Sequence, residues 1–173
     1  LTRLKADGFN LIRVPVVWER LQPNPGAFDS DVVEALEDFL RSTQNDFYVI
    51  IDIHQDLVSS FFNEGIKKPE NHGDGVPAWV LNKLTPAPNN RRNWVEPWAT
   101  NYFLDDQIKY ALKNLSNPTV LAEFSIFAER LGKICKNFPN IIAYEPLNEP
   151  IFDILCDRSI FDMPYSNLMS AVT

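Results

Sequence analysis

The stretch Asn10-Leu11-Ile12-Arg13-Val14-Pro15-Val16 is nearly all apolar, with Arg13 as its one charge. A run of this length reads as a β-strand buried on both faces, the pattern of a parallel sheet. Two further runs repeat the theme. Phe47 to Ile53 is apolar and β-branched and stops at His54-Gln55-Asp56, and Ile141 to Leu147 runs into Asn148-Glu149-Pro150. Between the first two runs lie the turn Pro23-Asn24-Pro25-Gly26 and the acidic cluster Asp29, Ser30 and Asp31. That cluster supplies an N-cap for a helix on which Val32, Val33, Leu36, Phe39 and Leu40 recur at helical spacing. An irregular region rich in Pro, Asn and Trp runs from Leu57 to about Tyr102. It is too long for a plain connection, which marks it as functional. Leu104, Ile108, Ala111, Leu112 and Leu115 then predict a short helix. Thr119 is the expected cap of a longer one, with Phe124, Phe127, Leu131, Ile134, Cys135 and Phe138 on one face and Pro139 as its stop.

Strand, helix, strand, helix, strand, with apolar strands throughout, predicts parallel βα units and an α/β fold. The polar residues of interest sit at or just after the strands' carboxyl ends, where (β/α)-barrels build their active sites. A doubly wound sheet shares that rule, but no glycine-rich phosphate loop follows any of these strands.

The 173 residues suffice for one domain with a real core, and the composition, 45% hydrophobic and 23% charged, excludes the disordered classes. Sixteen Lys and Arg against 23 Asp and Glu leave a formal charge of -7, with no basic run to meet a phosphate backbone, so nucleic acid is not an expected partner. No apolar stretch approaches the length of a transmembrane span, and no charged segment followed by an apolar one opens the chain at Leu1. Two cysteines, Cys135 and Cys156, are too few for a disulfide framework. Asn114-Leu115-Ser116 is an N-glycosylation triplet, which tilts the compartment toward an extracellular or lysosome-like one, although such triplets also arise by chance.

The chemistry concentrates at three strand ends. Glu149 follows a buried strand, where desolvation would raise its pKa and keep it protonated as a general acid, and Asn148 beside it can offer an amide to a sugar hydroxyl. Arg13 inside an apolar strand requires a carboxylate partner, which is a nucleophile elsewhere in the barrel on the functional reading and an ordinary buried ion pair on the alternative one. His54 can donate to a substrate hydroxyl or satisfy the barrel rim. No second His or Cys lies at ligand spacing, so neither metal nor cofactor is expected. Trp79 and Trp98, with Trp94 between them, offer flat faces for a sugar or a lipid chain, or simply pack.

Gly8-Phe9-Asn10-Leu11-Ile12-Arg13-Val14-Pro15 resembles the second barrel strand of glycoside hydrolase family five, and Asn148-Glu149-Pro150 resembles that family's fourth-strand signature. Asp52-Ile53-His54-Gln55-Asp56, Ser59, and Gly73-Asp74-Gly75-Val76-Pro77-Ala78-Trp79 are similar to the endoglycoceramidase and glucosylceramidase-like branch, as are Trp18-Glu19-Arg20-Leu21-Gln22-Pro23 and Pro25-Gly26. The resemblance implies a partial TIM (β/α)8 barrel over residues 1–173, about strands two to four with their helices. It implies Glu149 as acid/base, Asn148 on the sugar 2-hydroxyl, Arg13 orienting the nucleophile, and His54 at the cleaved subsite. Asp56 would bind hydroxyls of a ceramide-linked glucose, and Trp79 and Trp98 would be cleft walls. The partner is then a glycoside substrate with a lipid-like aglycone, and the remaining half of the barrel is required.

Ile151-Phe152-Asp153 departs from the tryptophan-glycine style of that branch. The first strand and the last four are absent, and the nucleophile, expected on the seventh strand, is absent with them. Asp153, Asp157 and Asp162 follow Glu149 too closely to replace it. A sugar-binding protein without turnover, a β-glucanase of the same family and an unrelated metabolic α/β domain are the rival readings.

Overall fold

The computed structural model describes residues 1–63, 73–89 and 97–149. Trp94, Pro150, Cys156 and the aspartates at 153, 157 and 162 lie outside them. In chain order the elements are α1 (Thr2–Ala6), β1 (Leu11–Val17), α2 (Trp18–Leu21), α3 (Ser30–Thr43), β2 (Tyr48–His54), α4 (Ala78–Leu81), α5 (Asn101–Leu104), α6 (Asp106–Lys113), α7 (Pro118–Cys135) and β3 (Ile141–Glu145). The three strands form one parallel sheet in the order β1-β2-β3. Each connection passes through helices, as successive βα units demand.

Helix starts follow from side chains that accept the orphan amide protons of the first turn. Asp29 accepts from Asp31 and Val32 at 3.0 and 3.1 Å to open α3. Asp105 accepts from Gln107 and Ile108 at 2.8 and 3.1 Å to open α6. The expected cap of the long helix is corrected: Asn117, not Thr119, accepts from the Thr119 amide at 2.9 Å, and Pro118 occupies the first turn. Proline suits that position because its missing N–H would have no partner there. Leu104 likewise falls outside the short amphipathic helix and is exposed, because Asp105 resets the start of α6. Within the glycosylation triplet, Asn114 C-caps α6, its Nδ2 donates to the Tyr110 carbonyl at 2.8 Å, and Leu115 is buried.

Among the described residues the strands are buried on one face, where their composition predicts burial on both. On β1, Val14 and Val16 are buried while Leu11, Arg13 and Pro15 are exposed. On β2, Val49, Ile51 and Ile53 face the helical layer and are fully or almost fully buried. Side chains alternate across a strand, so one face of the sheet packs on helices and the other is open among the described residues. The third strand stops at Glu145 rather than running to Leu147. Pro146 has no N–H to donate to the ladder, which ends pairing there.

The core lies between the helical face of the sheet and α7. Trp18 stacks on Phe127 at 5.2 Å and meets Phe124 edge-on at 5.6 Å, while its Nε1 donates to Gln22 Oε1 at 2.9 Å. Phe28 adds a ring 5.6 Å from Phe127. None of the described helices is long and apolar enough to cross a membrane.

Trp18 joins the end of β1 to α7, so Trp18→Ala should cost about 3–5 kcal/mol of unfolding free energy, whereas Asp29→Ala, which removes one cap, should cost about 1 kcal/mol. Denaturant titration of the complete protein checks both. A smaller loss for the tryptophan than for the cap would contradict this account of the core.

Candidate active site

Parallel register builds the site. Pro15 of β1 pairs with Asp52 of β2, and Asp52 pairs with Glu145 of β3. Arg13, Asp52 and Glu145 therefore point from the same face of three adjacent strands. Arg13 grips Glu145 through Nε to Oε2 at 2.7 Å and Nη2 to Oε1 at 2.8 Å. Its Nη1 lies 3.1 Å from Asp52 Oδ2, and its Nη2 also donates to Asn148 Oδ1 at 2.8 Å. The planar fork of five donors lets one guanidinium serve three acceptors at once. The Arg13 hydrogen bonds hold the Glu145 carboxyl below its ordinary range, against the smaller opposing effect of burial. The carboxylate that Arg13 requires is thus supplied by β2 and β3 of this chain, where the sequence reading assigns it to a nucleophile elsewhere.

Asp52 is fully buried, and its Oδ2 also receives His54 Nδ1 at 2.7 Å. Burial pushes Asp52 above the usual carboxylate range, while His54 and Arg13 pull the other way. Burial pulls His54 down, but the hydrogen bond and charge of Asp52, with Asp74 and Asp56 nearby, outweigh it and raise the imidazole above its ordinary value. With Nδ1 committed to Asp52, the Nε2 atom faces Asp56, whose Oδ2 is 3.6 Å away. Asp56 is itself raised, chiefly by burial, with Asp74 and Glu149 adding to the effect and His54 opposing it. An imidazole ringed by carboxylates at a strand end is suited to bind and orient hydroxyl groups.

Asp56 stands on a loop that the chain holds in a costly shape. Leu57 and Val58 have φ of 52° and 71°, a region that strains any residue with a Cβ and β-branched valine most of all. Several contacts enforce it. The Asp56 and Asp74 backbones exchange hydrogen bonds at 3.0 and 2.7 Å, and the Val76 amide donates to the Val58 carbonyl at 2.7 Å. Glu19 accepts from the Ser60 hydroxyl at 2.8 Å, and its own amide donates to the Gly75 carbonyl at 2.8 Å. Gly73 and Gly75 permit the approach: a Cβ would stand 2.5 Å from the Asp56 carbonyl oxygen at the first and 2.6 Å from that of Val58 at the second.

Asn148 is buried, and both ends of its amide are used. Oδ1 takes Arg13, and Nδ2 donates to the Gln55 carbonyl at 3.1 Å. Because guanidinium only donates and a carbonyl only accepts, the amide can sit one way round. Glu149 follows at φ 41°, exposed rather than buried. The strand ends four residues before it, so the desolvation expected at this position is not supplied by the described residues.

The structure brings Arg13, His54, Asp56 and Asn148 into one connected set, with Glu149 close enough to act electrostatically on Arg13 and Asp56. Both tryptophans are half-buried. Trp79 meets Trp18 edge-on at 6.4 Å, donates to the Gln22 carbonyl at 3.2 Å and lies under Lys83, so one side of it packs on the core. The Gly73-Asp74-Gly75 turn packs against the Asp56 loop. Trp98 lies 6.5 Å from Tyr102, whose hydroxyl accepts from the Leu57 amide at 2.7 Å. The sequence reading misses Asp52, Glu145, Gln55 and Tyr102. For Asp52 and Glu145 the signal was the one that singled out Arg13: a charge inside an apolar strand.

The model of the family Cellulase (glycosyl hydrolase family 5) matches residues 1–154. An ergosteryl-β-glucosidase of Saccharomyces cerevisiae is 32% identical over 109 residues, covering 61% of this chain and 13% of its own length. An endoglycoceramidase of Cyanea nozakii is 24% identical over 166 residues, covering 88% of this chain and 33% of its own. Endo-glycoceramidase II from Rhodococcus sp., solved as a lactosyl-enzyme intermediate, superposes with a TM-score of 0.77 at 22% identity over 99% of this chain and 40% of that one. The chain thus spans well under half the length of these proteins. The superposition chooses the barrel over the doubly wound sheet, and the described α/β unit is part of a TIM barrel.

The pKa shifts predict a pH profile. His54 binds its proton more tightly folded than unfolded, so its contribution is complete below its ordinary value of 6.5 and lost as the pH rises through the higher folded value. Glu145 has the opposite sign: its contribution is present above 4.5 and lost as the pH falls through the lower folded value. The thermal midpoint should therefore be highest on the mildly acidic side and fall above neutrality, and His54→Gln should flatten that alkaline fall. Gly75→Ala should destabilise by about 1–3 kcal/mol at any pH, since the clash is steric. Calorimetry across pH 4–9 on the complete protein and both variants reads these out (roughly the interval over which His and carboxylates titrate).

Proposed function

The chain belongs to glycosyl hydrolase family 5, and within it we propose that these residues form the acid/base part of a retaining β-glycosidase acting on a glucoside with a lipid-like aglycone. The observation that carries the reading is the network from Arg13 through Asn148 to Gln55, which holds the Asn148–Glu149 peptide beside His54 and Asp56 at the end of the sheet. Glu149 protonates the leaving glycosidic oxygen and later takes a proton from the water that releases the sugar. Asn148 has one N–H and one lone pair left for the 2-hydroxyl. His54 Nε2 and the Asp56 carboxylate take hydroxyls of the sugar in the cleaved subsite.

The nucleophile is a second carboxylate roughly 5–5.5 Å from the first, contributed by further strands that close the barrel over the open sheet face. That face exposes Leu11, Tyr48 and Ile142, large apolar side chains suited to burial under further strands. The lipid aglycone rests on the similarity to proteins named as sterol-glucoside and glycosphingolipid hydrolases, and on the carboxylate at 56, which can accept two hydroxyls.

Glu149→Gln should abolish cleavage of natural glycosides while sparing an aryl glycoside whose leaving group needs no proton. Asp56→Ala should lower kcat/KM on lactosylceramide by roughly 2–4 kcal/mol, about 30- to 1000-fold, with much less effect on thermal stability. The 173 residues alone should hydrolyse no glycoside above background. The substrate class is decided by kcat/KM on detergent-dispersed lactosylceramide against soluble cello-oligosaccharides. Faster cleavage of the oligosaccharides would assign the enzyme to the β-glucanase side of the family.

A further inference from the structure

We infer that Gln55 is a positioning residue for the acid/base carboxyl: its buried side-chain amide fixes the Asn148–Glu149 peptide and locks it to the loop that carries Asp56. The inference rests on the reading of Glu149 as the acid/base.

Gln55 follows β2 directly and is 2% exposed. Its Nε2 donates to the Asn148 carbonyl at 2.9 Å, and its own carbonyl accepts Asn148 Nδ2 at 3.1 Å. The Asn148 amide donates to the Ile53 carbonyl at 3.0 Å. Asn148 is thus held at its N–H, its carbonyl and its side chain by residues 53–55, with Arg13 on the remaining side-chain oxygen. The Asn148 carbonyl belongs to the peptide plane whose nitrogen is that of Glu149. Since the peptide is planar, fixing the carbonyl direction fixes the point from which the Glu149 side chain departs. Glu149 sits there at φ 41°, a conformation that persists only where the surroundings over-determine it.

The other end of the same amide faces the loop. Gln55 Oε1 accepts the Val58 amide at 2.9 Å and lies 3.4 Å from the Tyr102 hydroxyl, which itself holds the Leu57 amide. Those are the two residues of the loop with positive φ. One end meets a carbonyl, which only accepts, and the other an amide, which only donates, so the side chain cannot be reversed. A single buried group therefore couples the direction of the acid carboxyl to the conformation of the loop bearing Asp56. A shift in one strains the other.

Gln55→Glu separates the two ends: it keeps an oxygen for Val58 and replaces the donor to Asn148 with a second acceptor. Gln55→Met, uncharged and of similar length, removes both bonds and carries the test if a buried charge unfolds the first variant. Each is compared with wild type and Glu149→Gln in the complete enzyme, using a series of aryl β-glycosides graded by leaving-group acidity. The quantity read is kcat/KM, which reports bond cleavage to the leaving group. A misplaced acid should depress the least acidic leaving groups by about 100-fold or more while the most acidic stay within a few-fold of wild type. A loss uniform across the series, or no loss, overturns the positioning role, since a general structural effect does not depend on the leaving group. Should Glu149→Gln itself show no such dependence, the acid/base reading falls instead. Tyr102→Phe, which reaches the acid only through the loop, should change the slope far less than Gln55→Met, and a slope like that of Gln55→Met would refute the assignment of the effect to the Asn148 bond.

Discussion

The Arg13 guanidinium is the contact on which the site depends. It lies on the first strand of a parallel sheet, where a lone cation would be unfavourable, and it joins carboxylates from β2 and β3 and the amide of Asn148. Asp52 is the reciprocal case. A fully buried carboxylate is strongly disfavoured without compensation, and both Arg13 and His54 supply it. Arg13 is part-exposed, so solvent screens its pairing and the stability it contributes is modest. Its importance is geometric, because one rigid fork sets the positions of Asp52, Glu145 and Asn148 together.

From that fork the order spreads in two directions. Through Asp52 it reaches His54, fixing which ring nitrogen is bound and which is presented to Asp56. Through Asn148 it reaches Gln55 and then the loop at 56–58. The positive-φ residues of that loop are stabilised from below by Tyr102 and from the side by the Gly73–Val76 segment. Glu19 and Ser60 brace the next turn. The strain is local and the supports are many, which is how a loop can present a side chain with the precision of a strand.

Charge has a consistent sense across this surface. Asp52, Asp56, Asp74 and Glu19 all hold protons more tightly than free carboxylates because burial disfavours their ionised forms, and the -7 net charge of the chain opposes binding of anions in general. Neutral polyols suit such a surface: their hydroxyls both donate and accept, so they satisfy carboxylates and an imidazole without adding charge. The apolar side chains on the open face of the sheet are a separate matter and await the strands that complete the barrel.

The amino-acid sequence by itself determined the three strands, their parallel order, the cap at Asp29 and the polar residues at the strand ends, because these depend on local composition and on the period of apolar residues. It misjudged the cap at Thr119 and the length of the third strand, where proline's missing N–H overrides the apolar pattern. Composition also predicts burial on both faces, and the second of these depends on what lies across the sheet. Only the tertiary structure brought Arg13 to Glu145, 132 positions away, and Gln55 to Asn148, 93 positions away. No local signal carries those pairings: they follow from strand register, which aligns alternate side chains of separate segments on one face. The same reason explains Trp79, since whether an aromatic ring lines a cleft or fills a core is settled by which surface its short helix meets.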